Sequence, residues 1–172
     1  PGENGWIGFR KSGPMDVETD FLVIGSGIAG LSFALKVAGH GTVALVTKKS
    51  AMDSNTNLAQ GGIASVFSPE DSFALHIEDT LKSGDGLCNR DVVEMVVREG
   101  PRRIRHLLEM GVDFNLRGGA GSDNDPARFD LGREGGHSRK RIVHAQDMTG
   151  RAVEQVLVER ARKHENISLY ED

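Results

Sequence analysis

The sequence predicts an α/β fold, a parallel sheet with flanking helices, and three observations carry that prediction. Asp20 to Ile24 (DFLVI) is nearly all apolar, the pattern of a strand buried on both faces of a parallel sheet. A glycine-rich turn, Gly25-Ser26-Gly27-Ile28-Ala29-Gly30, follows at once and opens onto a helical pattern, Leu31 to Ala38, with Leu31, Ala34, Leu35 and Ala38 on one face. His40-Gly41 ends that helix, and Thr42 to Thr47 (TVALVT) is a second buried-type strand. Strand, turn, helix and strand within about 30 residues make one βαβ unit.

Further along, the segment from Lys48 to Gly62 is polar and contains glycine. A helix is expected over Asp71 to Ser83, where Phe73, Ile77 and Leu81 recur every four residues. Two more fit Asp91 to Glu99 and Pro101 to Met110, divided at Gly100-Pro101, because glycine is a poor helix interior and proline suits a first turn. Gly111 is placed to cap the second of them. Arg117 to Asp130 is dominated by Gly, Asp, Asn and Ser and reads as a mobile loop. The last helix runs from Thr149 to His164 with Val153, Val156, Leu157 and Ala161 on its apolar face, and Ile167 to Tyr170 reads as a third strand.

A chain of 172 residues is of single-domain size, and 38% apolar with 27% charged residues is an ordinary soluble composition. The net charge of −4 and the lack of a long basic tract argue against a nucleic-acid partner. The run Arg139-Lys140-Arg141 reads as a solvated turn. A single cysteine, Cys88, excludes an internal disulfide and any cysteine-cluster metal or iron–sulfur site made by this chain alone, and it favours a reducing compartment such as the cytoplasm. No apolar stretch is long enough for a membrane span, and no metal site is expected. Residues 1–15 lack the apolar core of a secretory signal and read as a leader or a disordered start.

Gly25, Gly27 and Gly30 stand where a dinucleotide fingerprint requires them, between a buried strand and a helix. Gly25 permits the tight turn, Gly27 lets the backbone approach a diphosphate, and Gly30 lets the helix pack close to the strand. The helix N-terminus then presents free N–H groups and a positive dipole end to the phosphates. The second strand departs from the usual pattern. Thr47-Lys48 stands where an acidic residue ordinarily binds the ribose hydroxyls, which argues against generic NAD binding. A cation there suits phosphate or another part of a flavin nucleotide. The row Asn55-Thr56-Asn57-Leu58-Ala59-Gln60-Gly61-Gly62 offers amides and a hydroxyl, then two glycines, on the side where ligands of open α/β sheets bind. By itself it reads as a surface loop.

Taken in order, Ile24 to Gly30 (IGSGIAG), Lys48, Ser54 to Gly62 (SNTNLAQGG), Arg133 to Ser138 (REGGHS), Arg141 to Ala145 (RIVHA) and Asp147 to Arg151 (DMTGR) resemble the succinate dehydrogenase/fumarate reductase flavoprotein family. Within that family they are most similar to the branch that oxidises L-aspartate. The glycine fingerprint marks only the superfamily, AQGG narrows the match to the family, and REGGHS with RIVHA narrows it to the branch. The resemblance covers Asp16 to Asp172 and implies a partial Rossmann-like FAD-binding domain, residues 16–172 being its N-terminal part.

The resemblance also implies FAD as cofactor, with Gly25, Ser26, Gly27, Ile28, Ala29, Gly30, Lys48 and Asn55 through Gly62 around it. The dicarboxylate enzymes commonly carry a histidine, covalently linked to FAD, five residues before the Gln of this segment. Here that position is Asn55, so FAD is expected to be held non-covalently. Glu134 stands where those enzymes carry an apolar residue, and it is expected to face the substrate amino group. The chemistry agrees, because aspartate differs from succinate by one ammonium. A charge-assisted hydrogen bond to it contributes about 1.5–3 kcal/mol, or roughly 10- to 150-fold in affinity.

The implied activity is oxidation of L-aspartate to iminoaspartate, feeding quinolinate and NAD synthesis, with oxygen or fumarate as final electron acceptor. A proton-transferring arginine of the family and the second half of the FAD domain lie beyond the positions that match this chain, which is therefore expected to bind FAD weakly and not to turn over alone. The alternatives are a fumarate reductase or succinate dehydrogenase flavoprotein, and a non-catalytic nucleotide-binding module. His137 and His144 are expected to orient loops, and Asp147 and Thr149 to cap the last helix. Arg151 has no assigned role.

Overall fold

The computed structural model describes residues 16–118 and 126–171. Residues 1–15, read above as a leader or disordered start, and the middle of the 117–130 loop lie outside the described residues. The elements run β1 (Phe21–Ile24), α1 (Ile28–Val37), β2 (Val43–Val46), α2 (Asn55–Leu58), β3 (Ile63–Ala64), α3 (Phe73–Ser83), α4 (Arg90–Glu109), β4 (Leu131–Gly132), β5 (Ile142–Val143), α5 (Thr149–Lys163) and β6 (Ile167–Tyr170).

The expected βαβ unit is present and extended by the third strand. β1, β2 and β6 form a parallel sheet in the order β1-β2-β6, with Phe21 opposite Val43 and Val43 opposite Ile167. Asp20 does not extend β1. Its carboxylate accepts hydrogen bonds from Thr42 N at 2.8 Å and Thr42 Oγ1 at 2.9 Å, which ties the entrance of β1 to that of β2. Helices α1 and α5 lie against one face of this sheet, where Val23, Leu31, Ala34, Leu45, Val153 and Leu157 share one core. Among the described residues the opposite face is uncovered along β1, where Leu22 and Ile24 are 62% and 82% exposed while Val23 is 6% exposed. Apolar strand residues of that kind normally lie under a second helical layer.

α1 begins three residues earlier than the periodicity suggested. The last half of the glycine turn is its first turn, with Gly27 at the N-cap. The expected break at Gly100-Pro101 does not occur, and α4 is one continuous helix. Val97, Ile104, Leu107 and Leu108 on both sides of the proline are buried on one face. Burying such side chains stabilises by about 1.5–3 kcal/mol each, enough to offset the roughly 3 kcal/mol a mid-helix proline costs. Gly111 caps α4 as expected, with φ +100°, its N–H bonded to Leu108 O and Val112 N–H bonded to Leu107 O.

A second, antiparallel sheet, β3-β5-β4, was not foreseen. Its strands are two residues long, too short to carry a period. The described ends of the 117–130 loop are also fastened, by Arg117 N–H to Arg128 O at 2.7 Å and by the fully buried Phe129. Arg141 corrects the reading of Arg139-Lys140-Arg141 as a solvated turn. Arg139 and Lys140 are exposed, but Arg141 is fully buried between Asp71 and Asp79.

Candidate functional site

The turn after β1 is built from hydrogen bonds that its residues cannot avoid. Gly25 N–H donates to Val46 O at 2.8 Å, with φ +101°, a conformation open to glycine. Gly30 is required by contact: a Cβ on it would lie 2.0 Å from Gly25 O. This is the close packing of helix on strand expected from the spacing. Ser26 is buried and its hydroxyl pairs with Thr47 Oγ1 at 3.3 Å, joining the turn to the end of β2, where Lys48 is exposed. In the first turn of α1, Ile28 N–H donates to Thr56 Oγ1 at 3.0 Å. The amides of Ala29 and Gly30 have no acceptor among the described residues and stand at the positive end of the helix dipole.

The segment Asn55 to Gly62 is not a plain loop. Its first half is the short helix α2, whose N-cap Ser54 accepts from Thr56 N–H. Two features of α5 hold it, and neither was foreseen. Glu154, fully buried, accepts a hydrogen bond from the Ser54 hydroxyl, and its Oε2 is buried without a partner among the described residues. Burial pushes its carboxyl up from the ordinary range, against the Ser54 hydroxyl and the nearby Asn57 backbone N–H, which favour the anion. Gly150 lets α5 touch α2 backbone to backbone: its N–H donates to Ala59 O at 3.0 Å, and a Cβ there would lie 1.8 Å from Thr56 O. Thr149 does not cap its own helix. Its hydroxyl accepts from Ala145 N–H and donates to Gly61 O at 3.1 Å, and the N-cap position belongs to Met148 rather than Asp147. Leu58, Ala59, Gln60, Gly61 and Gly62 are left exposed, and Asn57 Oδ1 is buried without a partner.

Glu134 lies against this same surface. A Cβ on Gly61 would be 2.5 Å from Glu134 Oε1, so the carboxylate rests directly on the Gly61 backbone. Gly27 thus lies against Thr56, and Gly61 of the same segment lies against Glu134, which is itself exposed. Asn55 is exposed at the start of α2. His137 packs on Arg141 and His76, while His144 pairs with Asn115 and lies 3.9 Å from Asp130. Both histidines therefore hold loops. Concavities of about 500 Å³ between α4 and α5 and 720 Å³ between α3 and α4 lie elsewhere and touch none of these residues. Among the described residues no helix is long and apolar enough to cross a membrane.

A parallel sheet, a glycine turn with free amides at a helix N-terminus and a polar segment beside it define a dinucleotide-binding domain. The FAD binding domain family matches residues 20–172, and the chain belongs to that family. It is 52% identical to L-aspartate oxidase 2-a of Nicotiana tabacum, named chloroplastic, over 88% of this chain and 22% of that protein. It is 44% identical to L-aspartate oxidase of Vibrio cholerae, over 90% of this chain and 28% of that protein. Among solved structures it resembles Escherichia coli quinol fumarate reductase, with TM-score 0.76 and 30% identity over 89% of this chain and 26% of that one. It also resembles the Mycobacterium smegmatis Sdh1 complex, with TM-score 0.73 and 28% identity over 89% of this chain and 27% of that one. The chain spans about a quarter of the length of these proteins.

The residues fit the cofactor. A Cβ on Gly27 would meet only Thr56 Oγ1, at 3.4 Å, so its bare Cα leaves an approach that the fold itself does not fill.

Proposed function

We propose that this chain supplies the FAD-binding part of an oxidoreductase that converts L-aspartate to iminoaspartate, a step toward quinolinate and NAD. FAD is held without a covalent bond, oxygen or fumarate accepts the electrons, and the setting is a reducing compartment such as the cytoplasm. The observation that carries the reading is the Glu134 carboxylate lying on Gly61, in the segment that follows the fingerprint.

The bound flavin supplies the two-electron acceptor. This chain's own residues bind and orient. The Ala29 and Gly30 amides donate to the diphosphate, Ser26, Gly25, Gly27 and Ile28 shape the turn around it, and Lys48 adds a cation at the end of β2. The exposed Leu58, Ala59, Gln60, Gly61 and Gly62, with Thr56 and Asn57, would hold the flavin end of the cofactor, and Asn55 would offer a carboxamide that forms no covalent link. Glu134 accepts a hydrogen bond from the substrate ammonium and so orients it. Glu134 is exposed, so its preference for L-aspartate over succinate, which lacks that cation, comes from this hydrogen bond.

Mixing the anaerobic full-length flavoprotein with each substrate tests this. L-aspartate is expected to bleach the flavin absorbance and succinate is not. Bleaching by succinate at an equal or greater rate would establish the dicarboxylate dehydrogenase reading instead.

A further inference from the structure

Arg141 is fully buried in an ion cluster that the chemistry above does not use. Its Nε and Nη2 donate to the two oxygens of Asp71, each at 2.8 Å, and its Nη1 donates to Asp79 Oδ2 at 2.7 Å. Asp79 Oδ2 also accepts from Ser138 N–H at 2.8 Å and from the Ser138 hydroxyl at 2.7 Å. Nη1 donates as well to His137 Nδ1 at 3.2 Å, and that ring meets His76 edge to face. Burial opposes charge on Asp79, yet the Ser138 hydrogen bonds and the guanidinium hold its carboxyl at about 2.

Buried ion clusters are not a general source of stability, since apolar replacements of similar volume are often as stable. What this one does is geometric. It joins α3 to the turn that carries Glu134. That turn is closed by His137 N–H to Glu134 O at 3.3 Å, and Gly136, at φ +82°, brings it against α3, where a Cβ would lie 2.7 Å from Ser83 Oγ. One end of the turn is thus fastened to α3 through Ser138 and His137. The other end places the Glu134 carboxylate on Gly61.

We propose that Asp79 and Arg141 are positioning residues for Glu134, fixing its turn on α3 so that the carboxylate stays over Gly61. The bidentate contact to Asp71 explains why arginine, with its planar fork, stands at the head of β5 where lysine would not serve. The proposal rests on reading Glu134 as the partner of the substrate ammonium.

The test uses the full-length holoenzyme and steady-state kinetics with L-aspartate, with FAD affinity and melting temperature as controls. Glu134→Gln is expected to raise KM by about tenfold or more. Asp79→Asn is expected to raise KM about tenfold with kcat within about twofold, and Ser138→Ala a few-fold, both with FAD affinity unchanged. In the double variants with Glu134→Gln the effects are not expected to add, because both act through one carboxylate. If Glu134→Gln leaves KM unchanged, the ammonium reading fails and the proposal with it. If Glu134→Gln raises KM while Ser138→Ala and Asp79→Asn do not, or if their effects add to it, the positioning role alone is overturned. Should Asp79→Asn fail to fold, Ser138→Ala decides by the same criteria.

Discussion

Gly27→Ala separates what the fold needs from what a ligand needs. Gly27 has φ −68° and ψ 175°, extended backbone that any residue adopts, and an added methyl would meet nothing nearer than Thr56 Oγ1 at 3.4 Å. The ligand-free variant is therefore expected to keep its stability within about 0.5 kcal/mol. The same methyl occupies the bare Cα of the N-cap of α1, where the proposed reading seats the diphosphate. Losing two charge-assisted hydrogen bonds of about 1.5–3 kcal/mol each predicts a drop in FAD affinity of at least about 100-fold. Titration of the full-length apoprotein with FAD, followed by flavin fluorescence, measures this, with thermal melting of the apoprotein alongside. Gly39→Ala, where a Cβ has open space, is the control. A Gly27→Ala variant that binds FAD within about threefold of the parent would refute the assignment of this turn to the diphosphate.

Gly30→Ala is expected to behave differently, since its methyl lies 2.0 Å from Gly25 O. It should lower the melting temperature even without FAD, by the equivalent of about 1–3 kcal/mol. Glu154→Ala leaves the Ser54 hydroxyl without its acceptor and is expected to cost about 1–3 kcal/mol, whereas Glu154→Gln keeps an acceptor and should cost less in the same melting assay. His76 is held neutral, its pKa lowered from 6.5 to about 4, chiefly by burial and then by Arg141 and His137. The unfolded chain takes up the proton first, so stability falls as pH drops from 6.5 towards 4. Melting curves across that window should show a loss on the order of 2 kcal/mol, with solvent screening included, and His76→Leu should flatten it.

The βαβ unit was legible because its signals are local. Apolar strand runs, a glycine spacing and a helical period all lie within one stretch from Asp20 to Thr47. The antiparallel sheet was not, because Ile63–Ala64, Leu131–Gly132 and Ile142–Val143 are too short to show alternation. Gly100-Pro101 was misread for a different reason: local punctuation is outweighed by a buried face that continues across it. Around the site, the glycine positions followed from the backbone approach a diphosphate needs, but Arg141 and Glu154 did not. Their partners lie far away in sequence, Asp71 70 residues from Arg141 and Ser54 100 residues from Glu154, so a charge read in its own neighbourhood looks solvated. Glu134 was singled out by resemblance and chemistry. Its neighbour Gly61 became visible only when the fold brought the two segments together.

The most direct measurement is an experimental structure of the full-length protein with FAD and a non-reacting analogue of L-aspartate that keeps the ammonium. The expected result places the diphosphate oxygens within hydrogen-bond distance of the Ala29 and Gly30 amides and the ammonium within hydrogen-bond distance of Glu134. A nucleotide seated away from Gly27, or a ligand ammonium met by other groups while Glu134 turns to solvent, would contradict it.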